Sequence, residues 1–84
     1  MHINKKEIIK NICFTELVYG RINKKLTTIF SKQEIDAFIV NLIQETEERY
    51  FVKIGKNFYV THMLNKIKVT INSNTFRVIT VDRV

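Results

Sequence analysis

SKQEIDAFIVNLIQETEERYFVKIGKNFYVTH, residues 31–62, changes its hydrophobic period once, and that change decides the fold. Ser31 and Glu34 stand three apart ahead of an apolar run, the spacing of a capping box in which each side chain satisfies the other's free backbone N–H. Ile35, Phe38, Ile39, Leu42 and Ile43 then recur at i, i+3, i+4, i+7 and i+8, the stripe of a helix that buries one face. The acids at Glu45, Glu47 and Glu48 sit where the helix dipole disfavours them, so the helix is expected to end there. From Tyr50 onward the residues are β-branched and aromatic and alternate with a period of two, which reads as strand.

Working outward, residues 3–26 have helical spacing, with Tyr19, Ile22 and Leu26 on one face. Thr15 is placed to cap a new helix beginning at Glu16, and the sequence leaves one helix or two open. Gly20 costs a helix interior about 1 kcal/mol relative to alanine, which suggests a close packing contact. Toward the C-terminus, strands are expected at Tyr50–Ile54, Phe58–His62, Ile67–Asn72 and Thr75–Val84. A three-residue loop at Gly55-Lys56-Asn57 would set Ile54 opposite Phe58 and Val52 opposite Val60. A two-residue loop at Ser73-Asn74, with Asn74 tolerating positive φ, would set Ile71 opposite Phe76 and Val69 opposite Val78. Both registers keep one side apolar. The expectation is one α+β domain over 1–84: two or three helices in about 3–46, then a four-stranded antiparallel meander in about 50–84.

With 84 residues there is no room for a second core, and stability is expected to be modest unless the chain oligomerises. A single cysteine builds neither a disulfide framework nor a thiolate metal cluster. No apolar run approaches the length of a signal-peptide core or a membrane span, so a cytoplasmic protein with no membrane partner is expected. The net charge of +6 is banded: +5 over residues 1–33, −4 over 34–49 and +5 over 50–84. Banding of this kind marks oriented faces, and a basic balance points to nucleic acid.

Those registers send Phe51, Lys53, Tyr59, Lys66, Lys68 and Arg77 to the sheet face that the helices leave bare. Phe51 and Tyr59 would stack on unpaired bases, while Lys53, Lys66, Lys68 and Arg77 would contact phosphates, which suits RNA, single-stranded DNA or a nucleoprotein enzyme. The alternative is a homodimer or other protein interface built on Tyr59, Ile79 and Val81. A second basic group, Arg21, Lys24, Lys25 and Lys32, reads on sequence grounds as solvated lysines of a helix.

Catalysis needs converging titratable groups, and few are offered. His2 is near the terminus and His62 ends a strand. Cys13 lies on an apolar stretch and reads as a buried structural cysteine. Glu45, Glu47 and Glu48 read as a solvated helix end. No metal-binding spacing and no phosphate loop occurs, so no cofactor, metal or catalytic residue is expected. The one enzymatic reading is His62 as a general base near Lys66 or Arg77 in a metal-independent ribonuclease.

ELVYGRINKKL (residues 16–26) and VTINSNTFRVITVDR (residues 69–83) resemble a family of small bacterial proteins known as a domain of unknown function, common in Gram-positive bacteria and their mobile elements. Gly20 departs from the larger residue expected there. The resemblance implies a bacterial or phage origin, and small proteins of mobile elements often act by binding host or competitor machinery; a mobile-element-encoded inhibitor or regulator of a host or competitor enzyme is the alternative reading, with inhibitor, regulator and toxin-like factor left open. The resemblance implies no activity or catalytic residue.

Overall fold

A computed structural model describes residues 3–84; His2 lies outside the described residues. The N-terminal stretch forms two helices, α1 (Lys5–Asn11) and α2 (Glu16–Leu26), and the capping-box segment forms α3 (Lys32–Glu45). A single 3-10 turn, Glu48–Tyr50, leads into strands β1 (Phe51–Ile54), β2 (Asn57–His62), β3 (Ile67–Asn72) and β4 (Val78–Arg83). The strands pair in chain order as an antiparallel meander. The α+β expectation and its helix-then-sheet order are met.

The break between α1 and α2 has a tertiary cause. Cys13 donates its N–H to the Phe76 carbonyl and accepts from the Val78 N–H, both at 3.0 Å, forming a parallel bridge to the sheet edge. A continuous helix would keep those groups for itself. Thr15 occupies the N-cap position of α2 with extended backbone, yet its hydroxyl makes no capping bond. By contrast the capping box of α3 is complete: Glu34 Oε1 accepts from the Ser31 N–H at 2.9 Å and Ser31 Oγ accepts from the Glu34 N–H at 3.1 Å. That backbone bond holds the Glu34 carboxyl below its ordinary value.

Gly20 is not a packing contact: a Cβ built there meets nothing within 4 Å. The helix therefore gives up about 1 kcal/mol at Gly20 with no packing in return.

The helices cover one sheet face, with α2 along β4 and α1 against α3. Ile22, Ile35, Ile39, Ile43, Ile71 and Val81 are wholly buried between the layers. The outer edge of β4 is closed by the Cys13 bridge and by α2, whose Arg21 Nη1 donates to the Ile79 carbonyl at 3.1 Å. The opposite edge, β1, has no neighbouring strand on its outer side among the described residues and carries Lys53, a charge of the kind that discourages edge-to-edge pairing.

Both hairpin registers differ from expectation. β1 and β2 are joined by two residues, Gly55-Lys56, pairing Phe51 with Val60 and Val52 with Tyr59. Gly55 has φ +60°, the conformation that a type II′ turn asks of its first central residue. One residue of slip exchanges the faces of the whole strand. Between β3 and β4 the loop is longer. Asn72 Oδ1 accepts the N–H groups of Asn74 and Thr75 at 2.8 and 2.9 Å, and Phe76 rather than Asn74 takes the positive φ. Ile71 pairs with Val78 and Thr70 with Thr80, leaving Ile79 as the extra residue of a β-bulge. Beyond it the alternation is inverted, so Val69 pairs with Val81.

Tyr19 ties α2 to α3 by donating its hydroxyl to Asp36 Oδ1 at 2.8 Å. Burial first, then the bond to Asp36 and the charges of Asp36 and Glu16, push its pKa up to about 12. The folded protein thus keeps a proton that the unfolded chain releases near pH 10. Stability from this group is complete below pH 10 and is lost as pH rises toward 12. Urea midpoints at pH 9 and 11 are expected to fall further for wild type than for Tyr19→Phe; equal falls would refute the linkage.

Candidate functional site

The uncovered sheet face is built in rows fixed by the register. Val52, Tyr59, Thr70 and Thr80 cross its middle. Ile54, Asn57 and Asn72 form a second row, and Thr61, Lys68 and Asp82 a third. Val52 is 48% and Ile54 64% exposed, large values for β-branched side chains in a strand. Lys68 Nζ lies 5.6 Å from the centre of the Tyr59 ring, within cation–π range. Asp82 is bound by Lys25 from α2 at 2.9 Å.

Of the residues expected on this face, Tyr59 and Lys68 are there, and Lys66 stands at its end in the β2–β3 turn, with φ +54°. Phe51 is a correction: it is 5% exposed and packs into the core opposite Val60, because the two-residue turn moves the odd positions of β1 inward. Lys53 moves with it to the helix-covered side, where its place on the edge strand leaves it exposed. Arg77 sits at the Cys13 bridge and faces α2 rather than the bare face. Of the alternative interface residues, Val81 is fully buried, a correction caused by the bulge. Ile79 is half-buried in a groove between α2 and β4 whose walls include Leu17, Arg21 and Arg77.

His62 is committed to structure. It is 6% exposed, its Nδ1 accepts the Asn65 N–H at 3.2 Å, and its Nε2 lies 3.1 Å from Glu45 Oε1. The first bond needs a bare Nδ1, so Nε2 carries the proton and donates to Glu45. No ring nitrogen is left to accept a substrate proton. Arg77, beyond Asn72, is at the opposite end of the sheet from His62, which pairs with Ile67. The ribonuclease constellation therefore lacks its base and Arg77; Lys66 alone stays near His62, in the β2–β3 turn. Cys13, expected to be buried, is instead exposed, because its backbone is drawn to the edge of β4, and its Sγ lies 3.6 Å from the Thr75 carbonyl. Glu47 pairs with Arg49. Among the described residues no three His, Cys, Asp or Glu side chains converge as a metal site. No helix among them is long and apolar enough to cross a membrane.

Positive charge collects elsewhere. On α2, Arg21, Lys24 and Lys25 share the exposed face, and β4 places Arg77 just before its start and Arg83 at its end. Lys32 is paired with Glu16. The spacing of 21, 24 and 25 signals one helix face in the sequence; its alignment with Arg77 and Arg83 depends on how α2 lies on β4.

Three helices on one side of a small meander, with the other side bare, define a two-layer α+β domain that presents surfaces rather than a cleft. The chain belongs to the DUF3781 family, described as a protein of unknown function, whose pattern covers residues 6–82. No curated protein and no solved structure matches it.

Proposed function

We propose that the protein is a non-enzymatic interaction module that pairs with a second copy of itself through the bare sheet face. The observation that carries this is the content of β1. With Val52 and Ile54 facing outward in place of Phe51 and Lys53, the face has an apolar side beside Tyr59, neutral threonines at its centre with Thr70 buried among its neighbours, and little free charge: Asp82 is held by Lys25, leaving Lys68, with Lys66 at the end of the face. Apolar and aromatic residues with few charges are what a protein interface core requires. With Asp82 neutralised by Lys25, little charge opposes the same patch facing itself across a two-fold axis. As a nucleic-acid platform the same face is poor: among the described residues Tyr59 is its one aromatic ring.

Four strands about 4.8 Å apart and about five residues long at ~3.3 Å each give a face of roughly 300 Å² in projection. That is small for a specific interface, so a dissociation constant in the micromolar range is expected. A bacterial or mobile-element setting and a regulatory or inhibitory role belong to the same proposal, and an unpaired thiol suits a reducing cytoplasm. Sedimentation equilibrium at about 100 μM is expected to give twice the chain mass for wild type. The double variant Val52→Asp, Ile54→Asp should give the monomer mass with an unchanged circular dichroism spectrum. A monomeric wild type, or a dimer that survives the double variant, would rule this assembly out.

A further inference from the structure

We infer that the side of the molecule formed by α2 and β4 grips the phosphate backbone of a nucleic acid, independently of the bare sheet face. Four cations there, Arg21, Lys24, Arg77 and Arg83, form no ion pair among the described residues. The acids within reach are already occupied, Asp82 by Lys25 and Glu16 by Lys32. Their positive charge is therefore uncompensated, the condition under which phosphates displace counterions with a net gain.

Two of the guanidinium groups are held in place by backbone carbonyls. Arg21 Nη1 donates to Ile79 O at 3.1 Å and Arg83 Nη2 donates to Leu26 O at 2.8 Å. Each uses part of a five-donor fork and leaves the remaining N–H groups for a ligand. Side chains fixed before binding lose less freedom when they bind. From Arg77 to Arg83 the strand runs about 20 Å at ~3.3 Å per residue. That length matches about six phosphates of one strand along a duplex axis.

Gly20 supplies a separate observation. It lies on the exposed face of α2 in a shallow depression whose other walls are Arg21, Lys24 and Lys25, and none of the described residues packs on it. A helix-interior glycine with no packing partner is unexplained by the fold. It is explained by a ligand backbone that must come close to the helix at the point where the cations converge. These contacts go to phosphate and sugar, so binding is expected to discriminate little between sequences.

Fluorescence anisotropy with labelled 20-nucleotide single-stranded RNA, single-stranded DNA and 20-base-pair DNA separates the nucleic-acid forms. Engagement of four phosphates predicts binding weakened roughly 100-fold between 50 and 200 mM salt. The triple variant Arg21→Gln, Lys24→Gln, Arg77→Gln is expected to bind at least about tenfold more weakly at 50 mM salt. An equal loss of charge, Lys53→Gln, Lys66→Gln, Lys68→Gln, should stay within about twofold of wild type if the contacts are local. Gly20→Gln should raise the melting temperature yet weaken binding. The inference is overturned if no probe binds at 50 mM salt, if the sheet triple loses as much as the α2–β4 triple, or if the α2–β4 triple or Gly20→Gln binds as wild type does. Because Val52 and Ile54 lie away from the α2–β4 side, the dimer variant is expected to stay within about twofold of wild type in this measurement, and the two proposals fail separately.

Discussion

Replacing Phe51 by alanine is expected to cost about 3–5 kcal/mol of stability, while Val52→Ala is expected to change it by less than about 0.5 kcal/mol. Phe51 is 5% exposed and lies opposite Val60, so removing its ring leaves a cavity that the surrounding isoleucines and valines cannot close. Val52, next in sequence, points to the bare face and is 48% exposed. For an 84-residue domain the Phe51 loss approaches the whole stability, since such chains hold about 4–12 kcal/mol. Urea midpoints of the two variants measure the difference directly. A three-residue turn at Gly55 would invert the result, with Val52→Ala severe and Phe51→Ala mild, so the comparison tests the register itself. The same pair separates the functional readings: a base-stacking Phe51 would be dispensable for folding and needed for binding.

The parts of the fold that were legible in the sequence are those set by local chemistry. Ser31 and Glu34 satisfy backbone groups within their own turn, and the stripe from Ile35 to Ile43 follows helical spacing, so α3 is readable without knowing its surroundings. The alternation of β-branched residues likewise announces four strands. What alternation does not contain is its own phase. Gly55-Lys56 and Gly55-Lys56-Asn57 both leave an apolar side on β1, because Val52 and Ile54 on one side and Phe51 on the other are all hydrophobic. The deciding feature is Gly55 at φ +60°, which favours the shorter loop. In β4 the phase changes within the strand. Val78 is buried as expected, whereas Val81 is buried only because Ile79 is extra. Thr15 left an interruption of the N-terminal helix open, but its cause was hidden, since the Cys13 backbone is needed by a strand more than sixty residues away.

The candidate sites followed the registers. Once β1 turned over, the face lost an aromatic ring and a lysine and gained two apolar side chains, which moves its chemistry from nucleic acid toward protein. The cations on α2 were visible from the start as Arg21, Lys24 and Lys25. What the sequence did not carry was that α2 lies along β4, adding Arg77 and Arg83 to the same side and setting Arg21 and Arg83 on backbone carbonyls.

The bulge can be tested as sharply as the turn. Val81→Asp is expected to leave the protein unfolded at pH 7, whereas Ile79→Asp is expected to fold with a loss below about 1 kcal/mol. Val81 is wholly enclosed, paired with Val69 and surrounded by the apolar layer between sheet and helices. Among the described residues Val81 sits in a cluster of apolar side chains, which offer a carboxylate no donor, and the cost of burying the charge exceeds the few kcal/mol that a domain of this size holds. Such a carboxyl would be held above its unfolded pKa, so the folded state would bind the proton more tightly than the unfolded state. The destabilisation is then complete above the folded-state pKa and shrinks as pH falls through it, giving a variant more ordered near pH 4 than at pH 7. Ile79 is half-buried beside Arg21 and Arg77, so a carboxylate there keeps contact with water and with positive charge. Far-ultraviolet circular dichroism at both pH values distinguishes the pair. Continuous alternation through β4, with no extra residue at Ile79, would place Val81 on the bare face; Val81→Asp would then fold at pH 7, and the assignment of Val81 to the core would be wrong.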